Sequence, residues 1–195
     1  KRNTHFRVLP NINNLISSSN LFDCYIVSHE GGFYMYNRQA AVQYANTWWN
    51  SNNPAYPIFD DDCTNYISQC LRAGGAPMRG YPKRDKGWWI GGGTWSFSWS
   101  TSHSLRWYLD TSTVGLQATK VANASDLQLG DVISYDFQGD GRFDHTTIVT
   151  GFNGREPLVN AHTASSRQRD WRYTSSPAYL DETSYIFFHI KDSFT

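Results

Sequence analysis

The sequence is poor in charge and has no long apolar run. Charged residues make up 17% of the 195 residues, with 17 Lys and Arg against 17 Asp and Glu, whereas soluble domains typically carry about 25%. This balance leaves no basic stripe for nucleic acid, so nucleic acid is not an expected partner. Since no run of about 18 apolar residues occurs, we also expect no membrane span. Lys1 comes first and no apolar signal core follows, which favours a mature or trimmed chain.

Cysteine is scarce as well. The cysteines are Cys24, Cys63 and Cys70, an odd number that leaves at least one thiol free. Cys63 and Cys70 would lie about 10 Å apart along a helix, which is too far for a disulfide. A Cys24–Cys70 bridge and no bridge at all both remain open.

The first half of the chain has helical periodicity. Asn37 can cap a helix whose apolar positions recur at i, i+3, i+4 and i+7, namely Ala41, Tyr44, Ala45 and Trp48. A second helix begins at Cys63, repeats this spacing and ends at Gly74–Gly75. The stretch HSLRWYL predicts a short helix further along.

The second half contains strand signals separated by turn residues: LQLGDVISYDF, DHTTIVTGF, PLVNAHTA and SYIFFHI. Helices followed by a meander of strands predict an α+β domain, with N-terminal helices packed on a C-terminal antiparallel sheet. The length suits one such domain. We assign residues 36–195 to it and treat residues 1–35 as a lead-in or the remnant of an upstream region.

Cys63 lies in the first turn of the second predicted helix. The free N–H groups and the positive dipole end of a helix stabilise a thiolate and can bind a developing oxyanion, so Cys63 is a candidate nucleophile. The alternative is a small buried hydrophobic residue, the usual role of a free cysteine. The preceding carboxylates of Asp60, Asp61 and Asp62 oppose a thiolate. A nucleophilic Cys63 therefore needs an imidazolium partner.

The candidate partners are the histidines His5, His29, His103, His145, His162 and His189. His145 opens a predicted strand directly after a turn, a position that is rigid yet reachable. A turn at Asn153–Gly154 would make the next strand its hairpin neighbour, with Asn160 and His162 on one face of that strand. Either side chain could hold the His145 imidazole. Structural roles for all of these histidines also remain open.

Several motifs together resemble a known family. They are YNRQAAVQYANTWW, YPIFDDDCTNYISQCLRAGGAPM, SWS and GDGRFDHTTIVTGF with VNAHTASS, and they span residues 36 to 190. These motifs resemble the bacterial putative amidase domain family (amidase domain 6), a relative of the NlpC/P60 and CHAP papain-like cysteine amidases and peptidases.

The resemblance implies a papain-like α+β core and a hydrolase that cuts amide or peptide bonds without a cofactor. It implies Cys63 as nucleophile, His145 as general base, and His162 as the orienting third residue, with Asn160 as the alternative. The implied substrate is peptidoglycan or a peptide, and the implied protein is a monomer, secreted or at the cell surface of a Gram-positive bacterium. Two other functions stay open: a non-catalytic wall-binding module and an acyltransferase with the same triad.

Two further segments suggest binding sites. The stretch DFQGDGRFD follows the spacing of a calcium loop, although Gln replaces one usual Asp or Asn and Thr147 stands at the place of the bidentate Glu; the candidate ligands are Asp136, Gln138, Asp140 and Asp144. An ordinary Asp/Gly turn is the alternative.

A segment rich in aromatic side chains contains Trp88, Trp89, Trp95 and Trp99. These side chains could form a substrate wall beside a mobile Gly91–Gly93 tip, or they could pack under a long loop.

Overall fold

The structure, a computed structural model, describes residues 33–195, and these contain four α-helices and ten strands. The helices are α1 Arg38–Trp48, α2 Cys63–Ala73, α3 Phe97–Ser100 and α4 Ser102–Thr111. The strands are β1 Tyr34–Met35, β2 Ile90–Gly91, β3 Thr94–Trp95, β4 Ala118–Val121, β5 Val132–Asp136, β6 His145–Asn153, β7 Glu156–Ala161, β8 Ser166–Asp170, β9 Ser184–Ile190 and β10 Ser193–Phe194.

Six of the strands form one sheet in the order β4-β9-β5-β6-β7-β8, and every pair in it is antiparallel. The predicted α+β class is therefore confirmed, and the predicted strand segments correspond to β5, β6, β7 and β9. The turn expected at Asn153–Gly154 joins β6 to β7, with Asn153 opposite Glu156. Two small ribbons, β1 with β10 and β2 with β3, lie outside the main sheet.

The sheet separates two apolar layers. Because side chains alternate along a strand, Val132 and Ile148 point into the layer shared with the helices, and their neighbours Ile133 and Val149 point into the other. The helix-side layer also contains Tyr66, Ile67 and Leu71 of α2; the far layer is closed by rings that include Tyr135, Phe137 and Tyr173. A residue's place in this alternation decides which layer it can reach.

Helices α1 and α2 begin as the sequence predicts. The Asn37 side chain caps α1 by accepting a hydrogen bond from the Ala40 amide at 2.9 Å, and Ala41 and Ala45 are fully buried. Helix α2 differs from the predicted one-sided stripe, because every residue from Cys63 to Leu71 is buried. The sheet and α1 cover one side of it, and the aromatic segment after residue 86 covers the rest.

Of the four tryptophans predicted to form a substrate wall, Trp88 and Trp99 belong instead to this cover. Trp88, Trp89 and Trp99 are at most 1% exposed. The Trp99 indole N–H donates to Asn65 Oδ1 at 2.7 Å, and that of Trp88 to Ser68 Oγ at 2.9 Å. These bonds satisfy buried polar groups of α2, which explains why a polar helix face tolerates burial. Trp95 is partly exposed.

The predicted mobile tip at Gly91–Gly93 is the turn of the β2–β3 hairpin. Gly92 and Gly93 have φ values of 58° and 73°, in the left-handed region that glycine adopts without strain. Beside this hairpin, Met78, Arg79, Tyr81 and Trp89 help to line a groove of about 460 Å³.

A buried carboxylate anchors the Gly-Asp motif that precedes β5. Asp131 is fully buried and accepts hydrogen bonds from Arg38 Nη1 at 2.7 Å, the Gln128 amide at 2.8 Å and the Ile190 amide at 3.0 Å. His189 Nδ1 lies 2.9 Å from the same carboxylate. This cluster joins α1, β5 and β9, and it gives His189 a structural role.

The structure also bears on the predictions for the cysteines and for a membrane-spanning segment. Cys63 and Cys70 are free, buried thiols, so the exclusion of a bridge between them is confirmed. Cys70 is not bridged, and Cys24 lies outside the described residues, as do His5 and His29. Within residues 33–195, no helix is long and apolar enough to cross a membrane.

Candidate active site

The Cys63 thiol lies among hydroxyl groups at the start of α2. It is 5% exposed, and its sulfur lies 3.5 Å from Ser102 Oγ, 3.6 Å from Thr64 Oγ1 and 4.0 Å from the Asp144 carbonyl oxygen. Ser102 Oγ in turn accepts from Thr146 Oγ1 at 3.0 Å and lies 2.8 Å from Thr64 Oγ1. The Ser102 proton can therefore be directed at the sulfur, where it would stabilise a thiolate.

The carboxylate beside Cys63 is buried and hydrogen-bonded. Asp62 Oδ2 lies 2.7 Å from His162 Nδ1, and Asp62 Oδ1 accepts from Asn65 Nδ2 at 2.8 Å. His162 Nε2 lies 2.7 Å from the Trp48 carbonyl oxygen, and the ring stacks on Tyr66 with centroids 3.9 Å apart. Both ring nitrogens of His162 therefore face oxygen acceptors. Asp62 is the only buried member of the three consecutive aspartates, and its carboxylate has hydrogen-bond partners on both oxygens.

A threonine from the turn between β7 and β8 caps the start of α2. Because the Asp62 side chain is engaged elsewhere, the Asp62 and Cys63 amides donate to Thr163 Oγ1, at 2.9 and 3.2 Å. Thr163 and Ala164 have φ values of 54° and 65°, which β-branched threonine adopts at a cost of about 1–3 kcal/mol. The backbone N–H groups expected to bind an oxyanion are thus occupied by a hydroxyl held in a strained turn.

His145 is buried at the first position of β6 and is neutral near pH 7. Its Nε2 lies 3.2 Å from the Tyr173 hydroxyl, and its ring lies among the rings of Tyr135, Phe137 and Tyr173. Burial lowers the pKa of His145 from 6.5 to about 4; the charge of Arg169 acts in the same direction and that of Asp144 opposes it. A neutral imidazole can accept a proton, as a general base must.

Neither predicted third residue contacts the His145 ring. Asn160 accepts from Thr150 Oγ1 and the Gln168 amide, both at 2.8 Å, and His162 binds Asp62 and Trp48 as described. The alternation of the strands is the reason: Asn160 pairs with Ile148 on the helix side of the sheet, whereas His145 belongs to the far side with Tyr135. The side chain that contacts a ring nitrogen of His145 is therefore Tyr173, rather than His162 or Asn160 as predicted.

Three residues near the site, Ser102, Thr163 and Tyr173, are not predicted from the sequence, and the reason differs for each. Tyr173 lies in a turn after β8 with a φ of 61°, and no periodicity marks it. Thr163 belongs to the NAHT motif, in which His162 and Asn160 are the predicted site residues. Ser102 begins α4, at a position where serine is common, so its contact with the thiol could not be read from the sequence.

The predicted calcium loop has the contacts of an ordinary turn. Asp136 accepts from the Asp140 amide at 3.2 Å and the Gly141 amide at 2.7 Å, while Asp140 accepts from the Arg142 amide and Asp144 from the Phe137 amide. Among residues 33–195, no three His, Cys, Asp or Glu side chains form a group that could hold a metal. The carboxylates thus have the backbone contacts of an Asp/Gly turn, and a calcium ion bound by them and by Gln138 stays a prediction.

Comparison with known protein families identifies the family to which the sequence belongs. A family model described as "Putative amidase domain" matches residues 35–187, more than half of the chain. The chain belongs to this amidase family. The resemblance inferred from the motifs is confirmed, and the family's description indicates a hydrolase of amides.

Two curated relatives match most of this chain. The uncharacterized protein YhbB of Bacillus subtilis (strain 168) is 55% identical over 166 residues, which cover 85% of this chain and 53% of YhbB. The uncharacterized protein YjcM of the same strain is 31% identical over 150 residues, 72% of this chain and 34% of YjcM. The chain thus spans about half of YhbB and a third of YjcM. No solved structure matches it.

Proposed function

We propose that this chain is a cysteine amidase in which Cys63 is the nucleophile, His145 the general base and Tyr173 the group that orients His145. The observation that carries the proposal is the meeting of these groups at one end of β6. The thiol lies 4.0 Å from the carbonyl of Asp144, and the next residue is the neutral His145, whose Nε2 is held by Tyr173.

The thiol and the imidazole approach this end from opposite layers. Cys63 contacts the helix-side hydroxyls, and His145 contacts the aromatic layer, so the two side chains make no hydrogen bond to each other in the described residues. Catalytic hydrogen bonds are often long without substrate and tighten in the Michaelis complex. If the Tyr173 hydroxyl accepts from Nε2–H, Nδ1 is left with the lone pair that can take the thiol proton.

The reaction then proceeds in two halves. His145 takes the Cys63 proton, the sulfur attacks the amide carbonyl, and His145 returns the proton to the leaving amine, which leaves a thioester. Water, deprotonated by His145, attacks the thioester and releases the acid and the free thiol. The Asp62 and Cys63 amides are the proposed oxyanion donors, available once Thr163 moves away.

The proposed substrates are amide bonds in bacterial peptidoglycan or its peptides, cut outside the cell or at its surface by a monomeric enzyme. Support for this part comes from the motifs, which resemble the amidase domain family and its NlpC/P60 and CHAP relatives, and from the similarity to two proteins of Bacillus subtilis. The wall-binding alternative has less support, because Trp88 and Trp99, two of the four tryptophans predicted for its groove, are fully buried against α2.

Digestion of purified sacculi, with mass analysis of the released fragments, tests the proposal and names the bond. Cys63→Ala should abolish release, and Cys70→Ala is the matched control, since it removes another buried free thiol. Tyr173→Phe should lower kcat by about 10- to 100-fold, as expected for loss of an orienting group. Turnover that survives Cys63→Ala would refute the mechanism, and products joined to an added amine would identify an acyltransferase.

A further inference from the structure

Arg169 lies beside the proposed catalytic groups with no carboxylate partner. Its guanidinium carbon lies 4.6 Å above the ring of Tyr173, and its Nη1 donates to Ser166 Oγ at a long 3.4 Å. Strand pairing places Arg169 opposite Val159 of β7, two strands from His145. Within residues 33–195, Arg169 makes no salt bridge.

Two other arginines of this domain form salt bridges with carboxylates. Arg38 binds Asp131 and Asp192, and Arg172 binds Glu156 and Asp170. A partly buried guanidinium that lacks a counter-charge keeps most of its donors available and loses hydration energy, so it favours binding of an anion. Its planar fork matches a carboxylate, which can take two parallel hydrogen bonds from it.

Arg169 is also close enough to act on the catalytic groups. Its charge lowers the pKa of His145, and it opposes the rise in the pKa of Tyr173 that burial causes. Because the guanidinium of Arg169 lies 4.6 Å from the ring of Tyr173, whose hydroxyl lies 3.2 Å from His145 Nε2, a carboxylate bound to Arg169 would lie near the scissile bond.

We propose that Arg169 is a specificity residue that binds a substrate carboxylate flanking the scissile amide. This inference rests on the proposed function and adds the substrate class: acidic peptides or amides, in preference to their neutral carboxamide forms. The carboxylate could be a terminal α-carboxylate or that of an internal acidic residue.

Peptide pairs test this assignment. Synthetic peptidoglycan stem peptides are prepared with the C-terminal carboxylate free or amidated, and separately with the internal glutamate carboxylate free or amidated. The wild-type chain should prefer one free form, and Arg169→Gln should lower kcat/KM for that form by about 10- to 100-fold while leaving the amidated form nearly unchanged. Arg167→Gln, an exposed charge loss on the same strand, is the control and should keep the preference.

Calorimetric binding of the same peptides to Cys63→Ala, with and without Arg169→Gln, separates this inference from the proposed function. A preference for the free carboxylate that Arg169→Gln removes supports the subsite even if no peptide is cleaved. The assignment is overturned if the wild-type and Cys63→Ala chains show no preference in either assay, or if Arg169→Gln weakens both members of a pair equally.

Discussion

The buried neutral His145 should make the fold sensitive to acid, and His145→Gln should reduce that sensitivity. The imidazole is 6% exposed, and burial lowers its pKa to about 4 in the folded chain from its ordinary 6.5. Between these values the unfolded chain takes up a proton that the folded chain does not. The free energy of unfolding is therefore highest above about pH 6.5 and falls as the pH drops toward 4.

The size of the effect follows from the shift. A difference of about 2.5 units corresponds to about 3 kcal/mol when the pH is below both values. Between about pH 7.5 and about pH 5, the part that is lost is about 2 kcal/mol. This is a large share of the 5–15 kcal/mol that usually holds a domain together. Glutamine does not titrate, so the variant should lose about 2 kcal/mol less over the same interval, whatever its stability at neutral pH.

Urea unfolding followed by tryptophan fluorescence, at both pH values, measures the change. For each protein, the free energy of unfolding at about pH 5 is subtracted from that at about pH 7.5. Comparing this difference between the wild-type chain and His145→Gln removes any loss of stability that the substitution causes equally at both pH values. Phe152→Leu, a non-titrating change at a partly exposed position of β6, should keep the wild-type difference. Equal differences for the wild-type chain and His145→Gln would refute the view that His145 is buried in its neutral form.

Other contacts of the site give further expectations. Ser102→Ala removes the hydroxyl nearest the sulfur and should slow iodoacetamide alkylation of the thiol at neutral pH by about fivefold; an unchanged rate would separate Ser102 from thiolate stabilisation. Thr163→Ala should cost about 1 kcal/mol through loss of the helix cap yet raise kcat/KM by freeing the oxyanion donors; a fall in kcat/KM would make the hydroxyl part of the machinery. Asp62→Asn, which removes the carboxylate from the buried hydrogen-bonded contact with His162, should destabilise the fold by about 3 kcal/mol, whereas exposed Asp61→Asn should change the stability by less than about 0.5 kcal/mol; equal effects would contradict a stabilising role of this contact. Removal of divalent cations with a chelator should leave the melting temperature unchanged, and a lower melting temperature would support calcium binding by the Asp136–Asp144 loop.

Much of the fold is predictable from local patterns, because those patterns match the physics of each element. The caps and apolar spacing of α1 and α2 and the apolar strands β5, β6, β7 and β9 were all predicted. Strands β4 and β8 were missed because they lie at the two edges of the sheet and carry exposed polar side chains such as Lys120 and Arg167. Edge strands lack the alternation that identifies a half-buried strand.

A site residue could be predicted only where a sequence motif assigned it to a position in a particular helix or strand. Cys63 at a helix start and His145 at a strand start could be located from the sequence alone. The residue that holds His145 depends on the layer into which each strand position points, and that required the register between β6 and β7. Tyr173 comes from a turn outside every predicted strand, so only the folded chain brings its hydroxyl to the imidazole.

The short β1–β10 ribbon has a consequence for how this domain can be carried in a larger protein. Tyr34 pairs with Phe194 and Met35 with Ser193, so the described chain enters and leaves the domain at one point. A domain with neighbouring entry and exit points can be inserted into a loop of a host protein without pulling the host's two loop ends apart. For the same reason, a circular permutant that joins these points by a short linker and opens the chain at the Gly154 turn should retain all the strand pairings of the six-stranded sheet.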